Sequence, residues 1–165
     1  MKILLLALFA LAFSIGPAAA QKRPDFTGTW TEDPSQRKLP VEERAPSGGG
    51  AIASGEMPPL KITQTADRLT IEEHFMSQVT QFVYDFDGRE NKNRTGAQIL
   101  TTRSRWEGAK FLIEGTIFQV TSQGEDSWKL REVRWMTPKG EMAVERTQVD
   151  EDGKARTVTL VFKKA

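Results

Sequence analysis

The sequence has 165 residues with no cysteine, one histidine, and 23 lysines and arginines against 22 aspartates and glutamates. The absence of cysteine excludes a disulfide framework, and a nearly balanced charge without a basic stripe argues against a nucleic-acid-binding protein. Zinc sites usually need three or four histidine, cysteine or carboxylate ligands that converge, so we expect neither a metal nor another cofactor.

The first twenty residues have the order of a secretory signal peptide. Lys2 precedes an apolar run of about 13 residues from Ile3 to Ile15, and Gly16-Pro17 leads to three alanines. That run is shorter than the roughly 20 residues of a membrane-spanning helix. We therefore expect cleavage after Ala20 and a mature protein that is exported, in a bacterium to the periplasm, with no stable membrane anchor.

A short tail at residues 21–25 precedes a chain that is dominated by strand patterns. Apolar and polar residues alternate in short runs, and the runs end at turn residues such as Ala66-Asp67, Asp87-Gly88 and Glu107-Gly108. Counting a weak strand near Arg89 to Arg94, the pattern predicts about nine or ten strands, among them FTGTWTE, PLKITQT, RLTIEEHF, QVTQFVYDF, QILTTRSRW, KFLIEGTIFQV, SWKLREVRWM, EMAVERTQV and ARTVTLVFKK.

The connections decide between the possible all-β architectures. Strands joined by tight turns pair antiparallel, and closing a meander into a barrel removes its exposed edges. A sandwich would need longer connections. We predict one all-β domain over residues 26–165, a single antiparallel up-and-down β-barrel of about 8–10 strands, in which Gly115 marks a bulge or a bend.

One segment interrupts the strand pattern. Residues Pro34 to Pro59 are rich in proline, glycine, serine and charge and have no sustained period. This composition predicts a long flexible loop after the first strand, either disordered or acting as a lid across one end of the barrel.

The opening of the barrel, Phe26-Thr27-Gly28-Thr29-Trp30, resembles the Gly-x-Trp signature of lipocalins and related calycin barrels. Further short motifs resemble secreted bacterial lipocalin-like proteins of uncharacterised function: Tyr84 to Gly88, Trp106 to Gly108, and Val161 to Lys164. The resemblance implies that Trp30 plugs the closed end, that Gly28 allows a close backbone approach, and that a basic residue covers the indole. Arg146 and Lys163 are the candidates for that residue. The Thr-Asp-Tyr signature of classical lipocalins is absent.

His74 lies on the polar face of its strand with Thr70, Glu72 and Met76, while Glu73 lies on the other face. A lone histidine is better explained as a solvated or hydrogen-bonded side chain than as a ligand of a metal or haem. No Gly-x-Ser-x-Gly element or acid–base pair is recognisable, so no catalytic residue is predicted.

The aromatic and basic residues of the later strands are the candidates for ligand binding. In an alternating barrel strand one face lines the lumen, where arginine would attract an anionic group and tryptophan would hold an apolar body. The candidate residues are Arg103, Arg105, Trp106, Trp128, Arg134 and Trp135. The alternative is that the arginines face solvent and pair with Glu114, Glu132 and Glu145 across strands.

These observations favour a secreted or periplasmic lipocalin-like protein that binds a small apolar or amphipathic molecule without catalysis. A protein-interaction or inhibitor module of the cell envelope with a filled barrel is the second hypothesis, and a barrel enzyme is the third. An open apolar lumen would favour the first hypothesis, a filled lumen with an exposed apolar patch the second, and an inward glutamate or histidine next to arginine the third.

Overall fold

A computed structural model describes residues 22–40, 57–75, 77–122 and 124–165. These residues form ten strands and one short 3-10 helix at Pro34–Gln36. The strands are β1 (Gly28–Glu32), β2 (Leu60–Gln64), β3 (Arg68–Phe75), β4 (Gln78–Asp85), β5 (Glu90–Thr95), β6 (Gln98–Glu107), β7 (Lys110–Thr121), β8 (Gly124–Met136), β9 (Met142–Val149) and β10 (Ala155–Lys164).

All ten strands belong to one antiparallel sheet with the order β4-β3-β2-β1-β10-β9-β8-β7-β6-β5. Every strand pairs with its neighbour in sequence except β4 with β5, and β1 pairs with β10. This is the meander that the tight turns predict, and the sheet curls into a nearly closed barrel. The all-β barrel class is confirmed, with ten strands.

The two ends of the sheet, β4 and β5, are joined by side chains instead of a backbone ladder. Asn93 on β5 receives a hydrogen bond from Val83 N at 2.8 Å and donates one from Nδ2 to Val83 O at 3.0 Å. Asn91 Oδ1 accepts from Asp85 N at 3.2 Å, and Ser104 Oγ donates to Asp85 O at 2.7 Å. We call this junction the β4–β5 seam. Its buried polar side chains satisfy the backbone groups of Val83 and Asp85, which a paired strand would otherwise do.

The core lies inside the barrel and is most tightly packed at one end. Phe26 stacks on Trp106 with ring centroids 5.7 Å apart, and Trp106 and Phe86 both contact Phe111 at 5.2 Å. The described part of the predicted tail at residues 21–25 also lies at this end. Gln64 Oε1 accepts from Phe26 N, and Gln64 Nε2 donates to Pro24 O. Large aromatic side chains thus close this end of the barrel, and we call Phe26, Phe86, Trp106 and Phe111 the aromatic plug.

Gly115 is needed for a different reason from the predicted bulge or bend. The β6–β7 and β7–β8 registers run through Gly115 without an inserted residue, so the bulge is wrong. A Cβ atom at Gly115 would lie 2.0 Å from Thr101 O and 2.7 Å from Thr102 Cα. Glycine is required because the backbone of β6 lies directly against this position.

The described part of the long first loop is more regular than its composition predicts. Asp33 caps the 3-10 helix by accepting from Ser35 N at 3.1 Å, and Lys38 forms a bridge with Thr159 on β10. The chain therefore continues along β10 beyond β1. Residues 41–56 of the predicted loop and residues 1–21, which include the predicted signal peptide, lie outside the described residues. None of the helices in the described ranges is long and apolar enough to span a membrane.

Candidate functional site

The lumen holds a cavity of about 440 Å³ at the end opposite the aromatic plug. Its wall is largely apolar and comes from strands on all sides of the barrel. The apolar lining consists of Ile71, Phe82, Leu100, Ile117, Trp128, Leu130, Val158 and Leu160. A volume of this size is within the range of ligand pockets in proteins. Side chains therefore do not fill the lumen, whereas the second functional hypothesis requires a filled one.

The open end of the cavity has a polar rim. The ends of the strands place Thr95, Gln98, Gln119, Gln148, Arg156 and Thr157 there. Gln98 Nε2 donates to Gln119 Oε1 at 2.7 Å across β6 and β7. Pro40 and Met57, which flank residues 41–56, also line the cavity. The rim separates the apolar wall from solvent.

A buried ionic cluster forms the deep end of the cavity. Along β8 the inward side chains run from Trp128 and Leu130 near the rim to Glu132 and Arg134 nearer the plug. Glu132 Oε1 accepts from Arg134 Nε and Nη2 at 2.7 and 2.6 Å. Glu132 Oε2 accepts from Arg146 Nε and Nη2 of β9, also at 2.7 and 2.6 Å. One carboxylate thus binds two guanidinium groups, and each guanidinium directs its Nε and Nη2 atoms to a single oxygen of Glu132.

The charge state of this cluster follows from its burial and its partners. Burial by itself raises the pKa of Glu132, but the positive charges of Arg134 and Arg146 and their hydrogen bonds outweigh it and lower the pKa to about 2. Glu132 in turn raises the pKa of Arg146. The three side chains are therefore ionised at neutral pH and carry one net positive charge.

Glu73 and Tyr84 complete the deep end. Glu73 on β3 is half-buried and lines the cavity, and its pKa is raised because burial outweighs the attraction of Arg146 and Arg134. The pKa of the buried Tyr84 hydroxyl is raised by burial and by the negative charge of Glu132. None of the hydrogen bonds in the described part of the chain uses that hydroxyl. Tyr84 is therefore a neutral donor at the cavity wall.

The six candidates for ligand binding fall into three places. Trp128 and Arg134 line the cavity together, as expected from the face that they share on β8. Trp106 points to the same side of its strand as the lumen but lies in the aromatic plug, with Arg23 5.8 Å from its ring centroid.

The other three candidates lie on the outside of the barrel. Arg105 pairs with Glu107 at 2.7 Å and with Glu114 at 2.8 Å, and Arg103 is exposed on the same face. Trp135 packs beneath Lys110, whose Nζ is 5.4 Å from the ring centroid. None of the three lines the cavity, because the strands place them one residue out of phase with the inward side chains.

Trp30 is covered by a different basic residue from the two that the sequence suggests. Trp30 is buried, and its Nε1 donates to Phe26 O at 2.8 Å. The base over the indole is Lys164, with Nζ 5.6 Å from the ring centroid, so Arg146 and Lys163 are wrong for this position. The register pairs Trp30 with Lys164, while Lys163 points outward to Asp33 at 2.8 Å. Arg146 is bound to Glu132 instead.

His74 is an exposed side chain, as predicted, and its Nε2 is 3.3 Å from Glu72 Oε2. Within the described ranges, no group of three or more histidine or acidic side chains converges in a way that could hold a metal ion.

The sequence pattern does not single out Glu73, Tyr84, Glu132 or Arg146 as residues of a binding site. Strand parity groups these residues by face but does not show which face is internal. Glu132 shares its face with Trp128 and Arg134, and Glu73 lies opposite the polar face of His74.

No protein-family model matches the chain, and no curated protein sequence matches it. Solved structures do match. The apo crystal structure of Caenorhabditis elegans lipid binding protein 8 is 13% identical, with a TM-score of 0.58 over 85% of this chain and 95% of that one. The REP1-NXSQ fatty acid transporter is 14% identical, with a TM-score of 0.54 over 84% of this chain and 95% of its own. A tyrosine-to-phenylalanine mutant of that transporter is 15% identical, with a TM-score of 0.54 over 84% and 97%. The likeness shows a shared calycin-like barrel fold.

Proposed function

We propose that this protein binds a small apolar or amphipathic molecule in its lumen and does not convert it chemically. The observation that carries the proposal is the cavity of about 440 Å³, which combines an apolar wall with an ionic deep end. A ligand that fills such a wall gains roughly 25 cal/mol for each Å² of apolar surface removed from water. The names of two similar barrels, a lipid binding protein and a fatty acid transporter, support the same class of ligand.

The arrangement of the cavity also orients the ligand. Trp128, Leu130 and Ile117 surround the middle of the lumen, and the polar groups lie deeper, at Glu132 and Arg134. An amphipathic molecule would insert its polar head first and leave its apolar body against the middle of the wall. The polar side chains of the deep end would fix its depth.

The experiment is native mass spectrometry of the protein purified from the cells that produce it, followed by organic extraction of the bound material. A lipid or aromatic metabolite that leaves on denaturation is the expected result. Titration with a fluorescent lipid analogue then measures the affinity of the emptied protein. An emptied protein that binds no such analogue would refute the proposal.

A pair of variants places the ligand in the lumen. Ile117→Trp adds a large ring to the buried wall of the cavity, and Thr116→Trp adds the same ring to the exposed outer face of β7. We expect Ile117→Trp to abolish binding and Thr116→Trp to leave it unchanged, with circular dichroism confirming that both variants fold. Equal binding by the two variants would exclude the lumen as the site.

We propose further that the protein acts after export and belongs with secreted bacterial lipocalin-like proteins. The support is the pattern of Lys2, the apolar run and Ala18-Ala19-Ala20, together with the Phe26 to Trp30 opening. N-terminal sequencing of the protein from a periplasmic fraction should begin at Gln21. Retention of the full chain in the cytoplasm would contradict export.

A further inference from the structure

The deep end of the cavity is balanced in charge before any ligand enters. Its four ionisable side chains that carry charge near neutral pH are Arg134 and Arg146, which are positive, and Glu132 and Glu73, which are acidic. With both carboxylates ionised the sum is zero, and with Glu73 protonated it is one positive charge. The cluster therefore has little excess positive charge to offer an anion.

The hydrogen-bonding geometry leads to the same conclusion. Arginine binds a carboxylate best through two parallel bonds. Arg134 and Arg146 each already direct Nε and Nη2, the two donors of one such edge, to an oxygen of Glu132. A ligand carboxylate would therefore find the Nε–Nη2 edge of both guanidinium groups occupied by a carboxylate of the protein.

Single donors remain for an uncharged group. Among the described residues, Arg134 Nη1 donates only to the weak thioether of Met142, at 4.0 Å, and Arg146 Nη1 forms no hydrogen bond. The Tyr84 hydroxyl adds a third donor, and Glu73 adds a group that accepts when ionised and donates when protonated. These groups suit the oxygen of a hydroxyl, an ester or an amide.

An additional buried negative charge is costly in this setting. A third carboxylate next to Glu132 and an ionised Glu73 would leave the cluster with a net negative charge out of water, where an unpaired ion is strongly disfavoured. The charge balance is restored if a proton is taken up together with the ligand. Glu73 is the group that can take it, because it faces Arg134 of β8 and Arg146 of β9 but also Glu132 of β8.

We infer that the lumen selects amphipathic molecules with an uncharged hydrogen-bonding head over fatty acids, because Glu132 occupies the arginines that a ligand carboxylate would need. The inference deepens the proposed function and rests on it. A fatty acid binds only together with a proton, so its affinity increases as the pH falls, whereas the affinity of an alcohol with the same chain does not.

The test compares lauryl alcohol with lauric acid by displacement of an uncharged fluorescent lipid analogue. At about pH 7.5 we expect the alcohol to bind at least about tenfold more tightly, a difference of about 1.4 kcal/mol. As the pH falls from about 7.5 towards about 4.5, the ordinary pKa of a glutamate, the acid should gain affinity and the alcohol should not. Tighter binding of the acid at the higher pH would overturn the inference and leave lumen binding intact. If neither molecule binds, the proposed function itself fails.

Variants assign the selectivity to the cluster. Glu132→Gln frees both guanidinium edges and should reverse the preference in favour of the acid. Since this variant removes a buried ion pair and can fail to fold, Glu73→Gln is the second variant. It leaves one net positive charge, and we expect about a tenfold gain in the affinity of the acid at about pH 7.5. Glu145→Gln, on the outer face of β9 beside Arg131, is the matched control and should change neither affinity. An unchanged acid-to-alcohol ratio in Glu73→Gln would contradict the inference.

Discussion

Lys164 lies across the indole of Trp30 in the space that Gly28 leaves open. The Lys164 Nζ atom is 5.6 Å from the centroid of the Trp30 ring, and the two residues face each other directly in the β1–β10 register. A Cβ atom on Gly28 would lie 2.5 Å from Lys164 Cε. The glycine, the tryptophan and the lysine therefore act as one unit, in which the ammonium group of Lys164 covers the aromatic face and its apolar stem lies against Gly28.

The first prediction concerns Gly28. Its φ of +141° is rare for residues with a side chain, so Gly28→Ala should lower the free energy of unfolding by about 1–3 kcal/mol. Urea denaturation followed by tryptophan fluorescence measures this. The double variant Gly28→Ala, Lys164→Ala separates backbone strain from the contact with lysine. If backbone strain dominates, Gly28→Ala lowers the free energy of unfolding by nearly the same amount in the Lys164→Ala background as in the natural protein.

The second prediction concerns the buried carboxylate. Glu132→Gln leaves Arg134 and Arg146 without their counter-charge, and breaking a buried ion pair from one side costs about 3–5 kcal/mol. Glu114→Gln removes a carboxylate from the outer face, where Arg105 and Arg131 are about half exposed, and should cost at most about 1 kcal/mol. Similar losses in the two variants would mean that the buried cluster contributes no more than a surface ion pair.

The third prediction is a loss of stability in acid. The pKa of Glu132 is about 2 in the folded protein, against 4.5 for an ordinary glutamate. A lowered pKa stabilises the fold above about pH 4.5, and this contribution, about 3 kcal/mol, is lost as the pH falls towards 2. Unfolding free energies measured at intervals across this range should decline. The decline should be shallower in a folded Glu132→Gln variant, and equal slopes would contradict the assignment to Glu132.

The fourth prediction is a gain of stability at neutral pH when Glu73 is replaced. The pKa of Glu73 is raised by burial, so its ionised form destabilises the folded protein as the pH rises through that pKa. Glu73→Gln should therefore be more stable than the natural protein at about pH 7.5 and lose this advantage below about pH 4.5. Glu72→Gln, on the outer face beside His74, is the control. Destabilisation by Glu73→Gln at the higher pH would show that its ionised form is held by the arginines.

The fifth prediction concerns the β4–β5 seam. Asn93→Ala removes both hydrogen bonds to Val83, and each buried backbone group left unpaired costs about 1–3 kcal/mol. Amide hydrogen exchange at Val83 should accelerate more than exchange elsewhere in β4. Lys92→Ala, which alters the neighbouring exposed side chain of β5, should leave that exchange unchanged. Fast exchange at Val83 already in the natural protein would show that the seam opens without the substitution.

The strands were predictable because their signals are local. Alternation over five to twelve residues and turn pairs such as Glu107-Gly108 fix each hairpin, and the structure pairs them in that order. The continuation of the first strand past Asp33 was not predictable, because Lys38 pairs with Thr159, which is remote in sequence. Nor could Gly115 be assigned, since its role depends on the backbone of a neighbouring strand.

The candidate site was predictable only in part. On β8 the faces Trp128-Leu130-Arg134 and Arg131-Val133-Trp135 have nearly the same composition, so alternation separates them without showing which one is internal. The closure of the barrel decides this and places Glu132 inside. In the sequence alone, Glu132 cannot be distinguished from a charged residue that faces solvent. For the same reason the sequence does not show whether Lys163 or Lys164 covers Trp30, since the two adjacent lysines point to opposite faces of β10.

The side chains of the β4–β5 seam also bear on how the protein avoids self-association. A sheet edge with free N–H and C=O groups is a template on which a second chain can add a strand and begin a fibril. Here the N–H groups of Val83 and Asp85 and their carbonyls are occupied by Asn93, Asn91 and Ser104 of the same molecule. Although the barrel stops short of full backbone closure, these groups of β4 are therefore not available to a strand from a second chain.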